Sequence, residues 1–372
     1  MTKKTSTTTY QPGQSIDFVK KKYGIKKVIK LASNENPDGP SLKAIAIAKR
    51  LSSNLNRYPD SQSLKLKIAI RNYLSRSKTK IDNIIVGNGS NEILELVART
   101  YLTKDAEVLF SKHSFLVYKI ISNAMGAIIV QSKPNIKSSK NYMGVNLNEL
   151  YNNINKNTKV IFIANPNNPT GTIVSKQDID VFMSKISKKI IIVLDEAYYE
   201  YAEHLGSKSC IDLLEKYPNM IITRSFSKIY ALAGIRIGYG LASSGIISKL
   251  DKIRQPFNIN YIAQEMAVAS LSDSKFIKNS LLNNEKGMIF LKESFDNLGI
   301  SYLNTYANFI TIYLGTNTDR IYKKLLSKGI ILRPLENYGL KSYLRVTIGT
   351  RLENLFFVNT LKNVIKGMSS NA

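Results

Sequence analysis

One stretch of the sequence combines hydroxyl, amine and guanidinium groups at a spacing that suits a phosphate ester. Ser225 and Ser227 come just before Lys228, and Arg236 follows eight residues after the lysine. Serine hydroxyls and the arginine fork donate hydrogen bonds to phosphate oxygens. A lysine beside a bound aldehyde can form a Schiff base, and desolvation or positive neighbours lower its pKa toward reactivity. Taken without its neighbours, Lys228 would be interpreted as an ordinary surface lysine. The serines and the arginine around it favour a lysine that forms a Schiff base.

A carboxylate is the second candidate for chemistry. Asp195 directly follows the apolar run 190–194, so its side chain is predicted at the end of a strand. There it could keep a pyridine nitrogen protonated, letting the ring withdraw electrons from a carbanion. The alternative is an ordinary helix N-cap. Tyr198 could donate a hydrogen bond to a phenolate oxygen on the same ring; the alternative is a tyrosine of the core. Asn168 could reach the same oxygen from the segment 165–171; the alternative is an ordinary turn.

A glycine-rich segment, 87–91, leads from a predicted strand into a predicted helix. The free backbone N–H groups of this segment would therefore form a phosphate cradle. The segment lacks the dinucleotide fingerprint, because Glu92 occupies the position of the third glycine, and it lacks the Walker lysine. A nucleotide-binding fold is therefore disfavoured, and the segment is compatible with a small phosphate.

These residues need a sheet to position them, and the apolar pattern supplies one. Short runs rich in β-branched residues alternate with helical stretches, which indicates an α/β fold with a mostly parallel sheet wrapped by helices. The predicted strands are 84–86, 108–110, 127–130, 160–164, 190–194 and 220–223. Ligands of such sheets bind beyond the carboxyl ends of the strands, and the candidate residues follow those ends.

The pattern changes after residue 256. Long helical segments over 263–298 precede a strand at 309–313, a helix at 318–328, and strands at 330–333 and 343–348. This order predicts a smaller α+β domain. We therefore expect an N-terminal arm with part of the small domain at 1–45, a large domain at 46–258, and a small C-terminal α+β domain at 259–372.

Composition narrows the class of protein. Among 372 residues, 53 Lys+Arg against 27 Asp+Glu give a net charge of +26. The lysines are scattered, which favours a solvated basic surface over the alternative, a nucleic-acid-binding protein. One cysteine and two histidines exclude a disulfide framework and a cysteine-rich zinc site, and we expect no metal. Residues 1–15 are polar and no apolar run approaches ~18 residues, so we expect a cytoplasmic protein without a membrane segment.

The order Asn168, Asp195, Tyr198, Lys228, Arg236 resembles that of the fold-type-I, pyridoxal-5'-phosphate-dependent aminotransferases of the aspartate aminotransferase superfamily. Further segments are similar to the class II histidinol-phosphate aminotransferases, over nearly the whole chain: Tyr-Gln-Pro-Gly at 10–13, Leu-Ala-Ser-Asn-Glu-Asn-Pro at 31–37, Arg-Tyr-Pro-Asp at 57–60, Ala-Leu-Ala-Gly at 231–234, Leu-Arg at 332–333 and Leu-Arg-Val-Thr-Ile-Gly-Thr at 344–350. The resemblance implies a seven-stranded, mostly parallel sheet between helices, pyridoxal 5'-phosphate as cofactor, and a homodimer.

The implied reaction is ping-pong transamination in histidine biosynthesis. It interconverts L-histidinol phosphate plus 2-oxoglutarate with imidazole-acetol phosphate plus L-glutamate. The alternatives of the same fold are an aromatic or aspartate aminotransferase and a phosphothreonine decarboxylase.

The resemblance also implies roles for single residues. Lys228 would bind the cofactor aldehyde and later carry the proton at the substrate α-carbon, and Asp195 would pair with the pyridinium nitrogen. Tyr198 and Asn168 would hydrogen-bond the phenolate oxygen. The cofactor phosphate would be held by the following residues: Gly89, Ser90, Asn91, Ser225, Ser227 and Arg236.

Other residues would act on the ring or the substrate. Phe115 takes the place of the relatives' usual Tyr and would stack on the cofactor ring; the alternative is plain core. Arg345 would clamp a substrate carboxylate. The remaining expectations are Arg333 and Tyr10 at the substrate phosphate, Tyr58 reaching the cofactor phosphate from the neighbouring subunit, and Asn34 closing the N-terminal arm over the site.

Overall fold

The computed structural model describes residues 13–53, 55–75 and 77–369. Its helices are α1 (Ile16–Tyr23), α2 (Leu42–Leu51), α3 (Leu64–Tyr73), α4 (Ser90–Tyr101), α5 (Leu116–Ala124), α6 (Leu147–Asn152), α7 (Lys176–Lys185), α8 (Tyr199–His204), α9 (Leu213–Lys216), α10 (Ser244–Asp251), α11 (Tyr261–Leu271), α12 (Ser274–Asn297), α13 (Thr318–Ser327) and α14 (Arg351–Ser369). Its strands are β1 (Ile29–Lys30), β2 (Ile84–Gly87), β3 (Glu107–Ser111), β4 (Ile128–Ser132), β5 (Thr158–Ala164), β6 (Ile191–Asp195), β7 (Met220–Ser225), β8 (Gly238–Ala242), β9 (Phe309–Tyr313), β10 (Ile330–Ile331), β11 (Arg333–Pro334) and β12 (Tyr343–Thr347).

A seven-stranded sheet forms the centre of the large domain, in the order β2-β8-β7-β6-β5-β3-β4. The two pairs that include β8 are antiparallel, and every other neighbouring pair in this sheet is parallel. Both faces are covered: Ile192 and Leu194 of β6 belong to the core cluster on one face, and Ile191 and Val193 to the cluster on the other. Because successive side chains of a strand point to opposite faces, a strand covered twice is apolar throughout. The α/β fold and each of the six strands predicted before residue 225 are confirmed.

Strand β8 was not among the predicted strands, because its sequence Gly-Tyr-Gly-Leu-Ala lacks β-branched residues. Its first residue, Gly238, packs directly against the start of helix α4. A Cβ atom on Gly238 would lie 2.5 Å from the backbone nitrogen of Ser90. The glycine therefore lets the start of α4 sit directly against the sheet, which is where the predicted phosphate cradle begins.

A second, smaller set of sheets follows in the chain. Strands β11, β12 and β9 form an antiparallel sheet, and β1 pairs in parallel with β10, which joins the N-terminal segment to the C-terminal part. Their apolar side chains pack with those of α12, α13 and α14 in a separate core cluster. The elements expected after residue 300 are thus present.

The exact domain limits at 45/46 and 258/259 stay a prediction. Helix α11 begins at Tyr261, beyond the predicted end of the large domain. Its Ala263 and Ala267 nevertheless pack into the core cluster on the large sheet, next to α2 and α3. Thus α11 packs with elements of the large domain although it lies beyond the predicted limit.

Within the described part of the chain, no helix is long and apolar enough to cross a membrane.

Candidate active site

The candidate residues surround a cavity of about 280 Å³ at the carboxyl ends of β5, β6 and β7. Thirteen of the sixteen predicted site residues line it: Asn34, Ser90, Asn91, Phe115, Asn168, Asp195, Tyr198, Ser225, Ser227, Lys228, Arg236, Arg333 and Arg345. Gly89 lies one residue before Ser90, underneath Arg236. Tyr58 lies outside the cavity of its own chain, and Tyr10 falls outside the described residues.

Asp195 ends strand β6 with its carboxylate almost entirely buried, at 5% exposure. Tyr118 Oη donates to Oδ2 at 3.0 Å, and Thr223 Oγ1 donates to Oδ1 at 3.0 Å. Burial raises the pKa of Asp195, while these two hydrogen bonds and the Ala197 backbone N–H oppose the rise. A buried carboxylate is most stable beside a positive charge, so this position suits a protonated ring nitrogen.

Tyr118 and Thr223 were missed by sequence reasoning, although each had a signal. Tyr118 lies three residues after Phe115, at the start of α5, so helical spacing could have placed both side chains near the site. Its ring stacks on Phe162 at a centroid distance of 4.8 Å. Thr223 is the direct partner of Asp195 in the β6–β7 register. Two hydroxyl donors thus fix the orientation of the Asp195 carboxylate.

Lys228 follows β7, and its Nζ donates to the backbone oxygen of Ser33 at 3.2 Å. Burial lowers the pKa of Lys228 to about 8, with a further lowering by the positive charges of Arg345 and Arg236. Glu35 and Asp195 act in the opposite direction. A larger fraction of this amine is therefore unprotonated near neutral pH than for an exposed lysine, as attack on an aldehyde requires.

This shift gives a prediction for the loading of the apoenzyme. The rate of pyridoxal 5'-phosphate uptake is expected to rise between about pH 7 and about pH 9, with a midpoint of about 8, because only the unprotonated amine reacts. Uptake is measured as growth of the visible absorbance at constant ionic strength. The control is a blocked lysine derivative, whose reaction with the same aldehyde keeps rising toward the ordinary lysine pKa. A protein midpoint near that ordinary value would contradict the prediction.

Tyr198 is held by the N-terminal segment. Asn34 Nδ2 donates to Tyr198 Oη at 2.8 Å, and Asn34 itself adopts a left-handed backbone conformation with φ of 56°, which Asn tolerates. The Asn34 N–H donates to Thr347 Oγ1 at 2.9 Å, and Asn308 Nδ2 donates to the Asn34 backbone oxygen at 3.0 Å. Burial raises the pKa of Tyr198 to about 12, so its phenol keeps its proton and can donate. Asn34 therefore positions Tyr198.

Arg345 joins the two domains at the cavity. It donates through Nη1 to Asn168 Oδ1 and through Nη2 to the Ala32 backbone oxygen at 2.8 Å. With Oδ1 of Asn168 engaged, the NH₂ group of that amide is the part that can donate to a phenolate oxygen. Arg333 lies opposite Arg345 in the register of β11 and β12, and both side chains line the same cavity.

The phosphate cradle lies at the start of α4. Gly89 has φ of 73°, and a Cβ atom there would come within 2.5 Å of Arg236 Nη2, so the guanidinium rests on this glycine. Arg236 Nη1 donates to Ser227 Oγ at 3.3 Å, and Ser225 Oγ accepts from the Ser227 N–H at 3.1 Å. A helix N-terminus, two hydroxyls and a guanidinium thus converge, which is the donor set that a phosphate requires.

The residues present therefore fit pyridoxal 5'-phosphate. The cradle would hold its phosphate, Asp195 its ring nitrogen, and Tyr198 with Asn168 its phenolate oxygen. Phe115 forms one wall of the cavity, with its ring edge-on to Tyr118 at 5.8 Å. This wall is where stacking on the cofactor ring is expected.

The fold and this cavity define a fold-type-I, pyridoxal-phosphate-dependent aminotransferase. The family model of the class I and II aminotransferases matches residues 26–359. Histidinol-phosphate aminotransferase 2 of Pseudomonas fluorescens is 40% identical over 96% of this chain and 94% of its own length, and the Brevibacillus brevis histidinol-phosphate aminotransferase is 40% identical over 96% of both. The chain belongs to the class I and II aminotransferases, in the histidinol-phosphate aminotransferase family. The crystal structure of the Sinorhizobium meliloti histidinol-phosphate aminotransferase in complex with pyridoxal-5'-phosphate has the same fold, with a TM-score of 0.86 at 24% identity over 99% of both chains.

Proposed function

We propose that this aminotransferase interconverts L-histidinol phosphate plus 2-oxoglutarate with imidazole-acetol phosphate plus L-glutamate. The observation that carries the proposal is the pair of buried arginines, Arg333 and Arg345, on adjacent strands beside the cavity. Two guanidinium groups suit a phosphate ester in one half-reaction and the two carboxylates of glutamate in the other. The 40% identical relatives are named histidinol-phosphate aminotransferases, which supports the proposed amino donor.

The chain's own residues have distinct tasks in this reaction. When bound, pyridoxal 5'-phosphate would supply an acceptor for the substrate's amino nitrogen and an electron sink for its α-carbon. Lys228, whose amine lies 5.7 Å from the Tyr198 ring centroid, would move the proton at that α-carbon. Asp195 would keep the ring nitrogen positive, and Arg333 and Arg345 would orient the substrate by its anionic groups. The kinetics would be ping-pong, because the same cavity would bind the amino donor and the keto acid in turn.

The test is the visible spectrum of the purified holoenzyme, recorded before and after adding histidinol phosphate alone. We expect the yellow band to be replaced by that of the pyridoxamine form, because one half-reaction needs no keto acid. L-Aspartate, L-phenylalanine and O-phospho-L-threonine, each added alone, are the comparison donors. A spectrum that ignores histidinol phosphate but changes with one of these would overturn the substrate and keep the cofactor. Release of carbon dioxide from phosphothreonine would favour the decarboxylase.

We also propose that the enzyme is a cytoplasmic homodimer. In this dimer, Tyr58 of one chain would reach the cofactor phosphate of the other. Tyr58 is 83% exposed and stacks on Phe257 at a centroid distance of 4.7 Å. Both rings lie in an open groove that also includes Asn88, next to the phosphate cradle. A large aromatic surface held this way suits a protein contact. A monomeric holoenzyme in sedimentation would contradict this assembly.

A further inference from the structure

A loop of the small domain forms part of the cavity wall. The loop 335–340 is closed on itself, since the Leu340 N–H donates to the Leu335 backbone oxygen at 3.0 Å and the Gly339 N–H donates to the Glu336 oxygen at 2.8 Å. Tyr338, in the middle of this loop, lines the cavity together with Arg333, five residues earlier. The loop thus presents a tyrosine to the same cavity as the arginine that is expected to bind the substrate.

The His113 side chain of the large domain forms a hydrogen bond with this loop. Its Nδ1 lies 2.7 Å from the backbone oxygen of Tyr338. Because a carbonyl oxygen only accepts, Nδ1 carries the proton and donates. His113 is 4% exposed, so water competes little for this bond.

His113 is also tied to the other walls of the cavity. Its backbone oxygen accepts from Asn167 Nδ2 at 2.7 Å, one residue before Asn168. Phe115 follows it by two residues, and Leu116 packs with Leu335 and Leu340 in a small apolar cluster. One residue therefore connects the Phe115 wall, the Asn168 turn and the Tyr338 loop.

We propose that His113 is a positioning residue of the active site, whose imidazole holds the 335–340 loop so that Tyr338 forms the wall against the substrate. The inference rests on the proposed use of this cavity for the amino donor. The imidazole acts through Tyr338, and it neither transfers a proton nor contacts the cofactor. A loosened loop would weaken substrate binding and leave the reacting groups in place, so the effect belongs mainly in KM.

The test compares His113→Leu with His113→Asn in the holoenzyme. Leucine removes the donor, and KM for the amino donor is expected to rise about fivefold to tenfold, with kcat within about twofold, as for loss of one hydrogen bond. Asparagine can put its Nδ2 in the place of Nδ1, so KM should return to within about twofold of the parent value. His204→Leu is the matched control, because it removes a histidine contact to Glu285 at 2.9 Å outside the cavity lining. Cofactor absorbance and the melting temperature are recorded for each variant.

An unchanged KM in a folded, cofactor-loaded His113→Leu enzyme would overturn the proposal, as would an Asn variant that behaves like the Leu variant. If the Leu variant does not fold, Tyr338→Ala decides, since it leaves His113 in place: KM should rise by a similar factor, and no rise would refute the proposal. Each KM is measured with histidinol phosphate and separately with glutamate. An enzyme that ignores histidinol phosphate thus fails the proposed function, while glutamate still reports on His113.

Discussion

Replacing Lys228 by alanine is expected to lower kcat by at least about 10⁴-fold, while the folded structure persists. The variant loses both the amine that binds the cofactor aldehyde and the group that moves the proton at the α-carbon; general acid–base catalysis alone contributes about 10²–10⁴-fold. The apoenzyme should not be destabilised, because burial already penalises this amine in the folded state, as its pKa of about 8 records. Steady-state transamination gives kcat, and circular dichroism with a thermal melt reports the fold.

The matched control is Lys188→Ala, which removes an exposed lysine at the surface. It should retain the parent rate, so a general effect of charge in this basic protein would be visible in both variants. The visible spectrum distinguishes loss of the cofactor from loss of the lysine's chemistry. Lys228→Ala should still bind the cofactor, but without covalent attachment. Near-parent activity in Lys228→Ala, with confirmed absence of the lysine by mass, would remove the central role assigned to this residue.

The sequence predicted those parts of the site whose chemistry is local along the chain. Ser225, Ser227, Lys228 and Arg236 stand close in sequence, and the apolar run before Asp195 marks a strand end on the ligand side. Because neighbouring strands are parallel, their carboxyl ends lie at one edge of the sheet. Such inferences need the order of the elements but not the details of their packing.

The contacts that were missed connect distant segments. Asn34 reaches Tyr198 across 164 positions, and His113 reaches Tyr338 across 225. The local sequence around Asn34 or His113 does not predict these partners. Both contacts depend on how the N-terminal segment and the small domain pack against the large domain. Gly238 shows the same limit for strands: the absence of a side chain there is explained by the close approach of α4, which β propensity does not describe.

Replacing Asp195 by asparagine is expected to have the second largest effect, a fall in kcat of about 10³-fold, the order seen when one group that stabilises developing charge is lost. Asparagine has nearly the same shape, and the Tyr118 and Thr223 hydroxyls can each reorient to donate or accept. What is lost is the negative charge that would keep the ring nitrogen protonated. The electron-withdrawing power of the ring therefore falls although the cavity keeps its form.

Tyr118→Phe distinguishes the effect of the Asp195 charge from the effect of the hydrogen bond that orients its carboxylate. It removes one hydrogen bond to Asp195 and retains the carboxylate and the aromatic stack on Phe162. We expect a loss of activity within about tenfold, the range for a single hydrogen bond. Single-turnover bleaching with histidinol phosphate measures the proton-transfer half-reaction for both variants. Equal losses would mean that the orientation of residue 195 matters and its charge does not, whereas a far larger loss in Asp195→Asn assigns the effect to the buried negative charge at the end of β6.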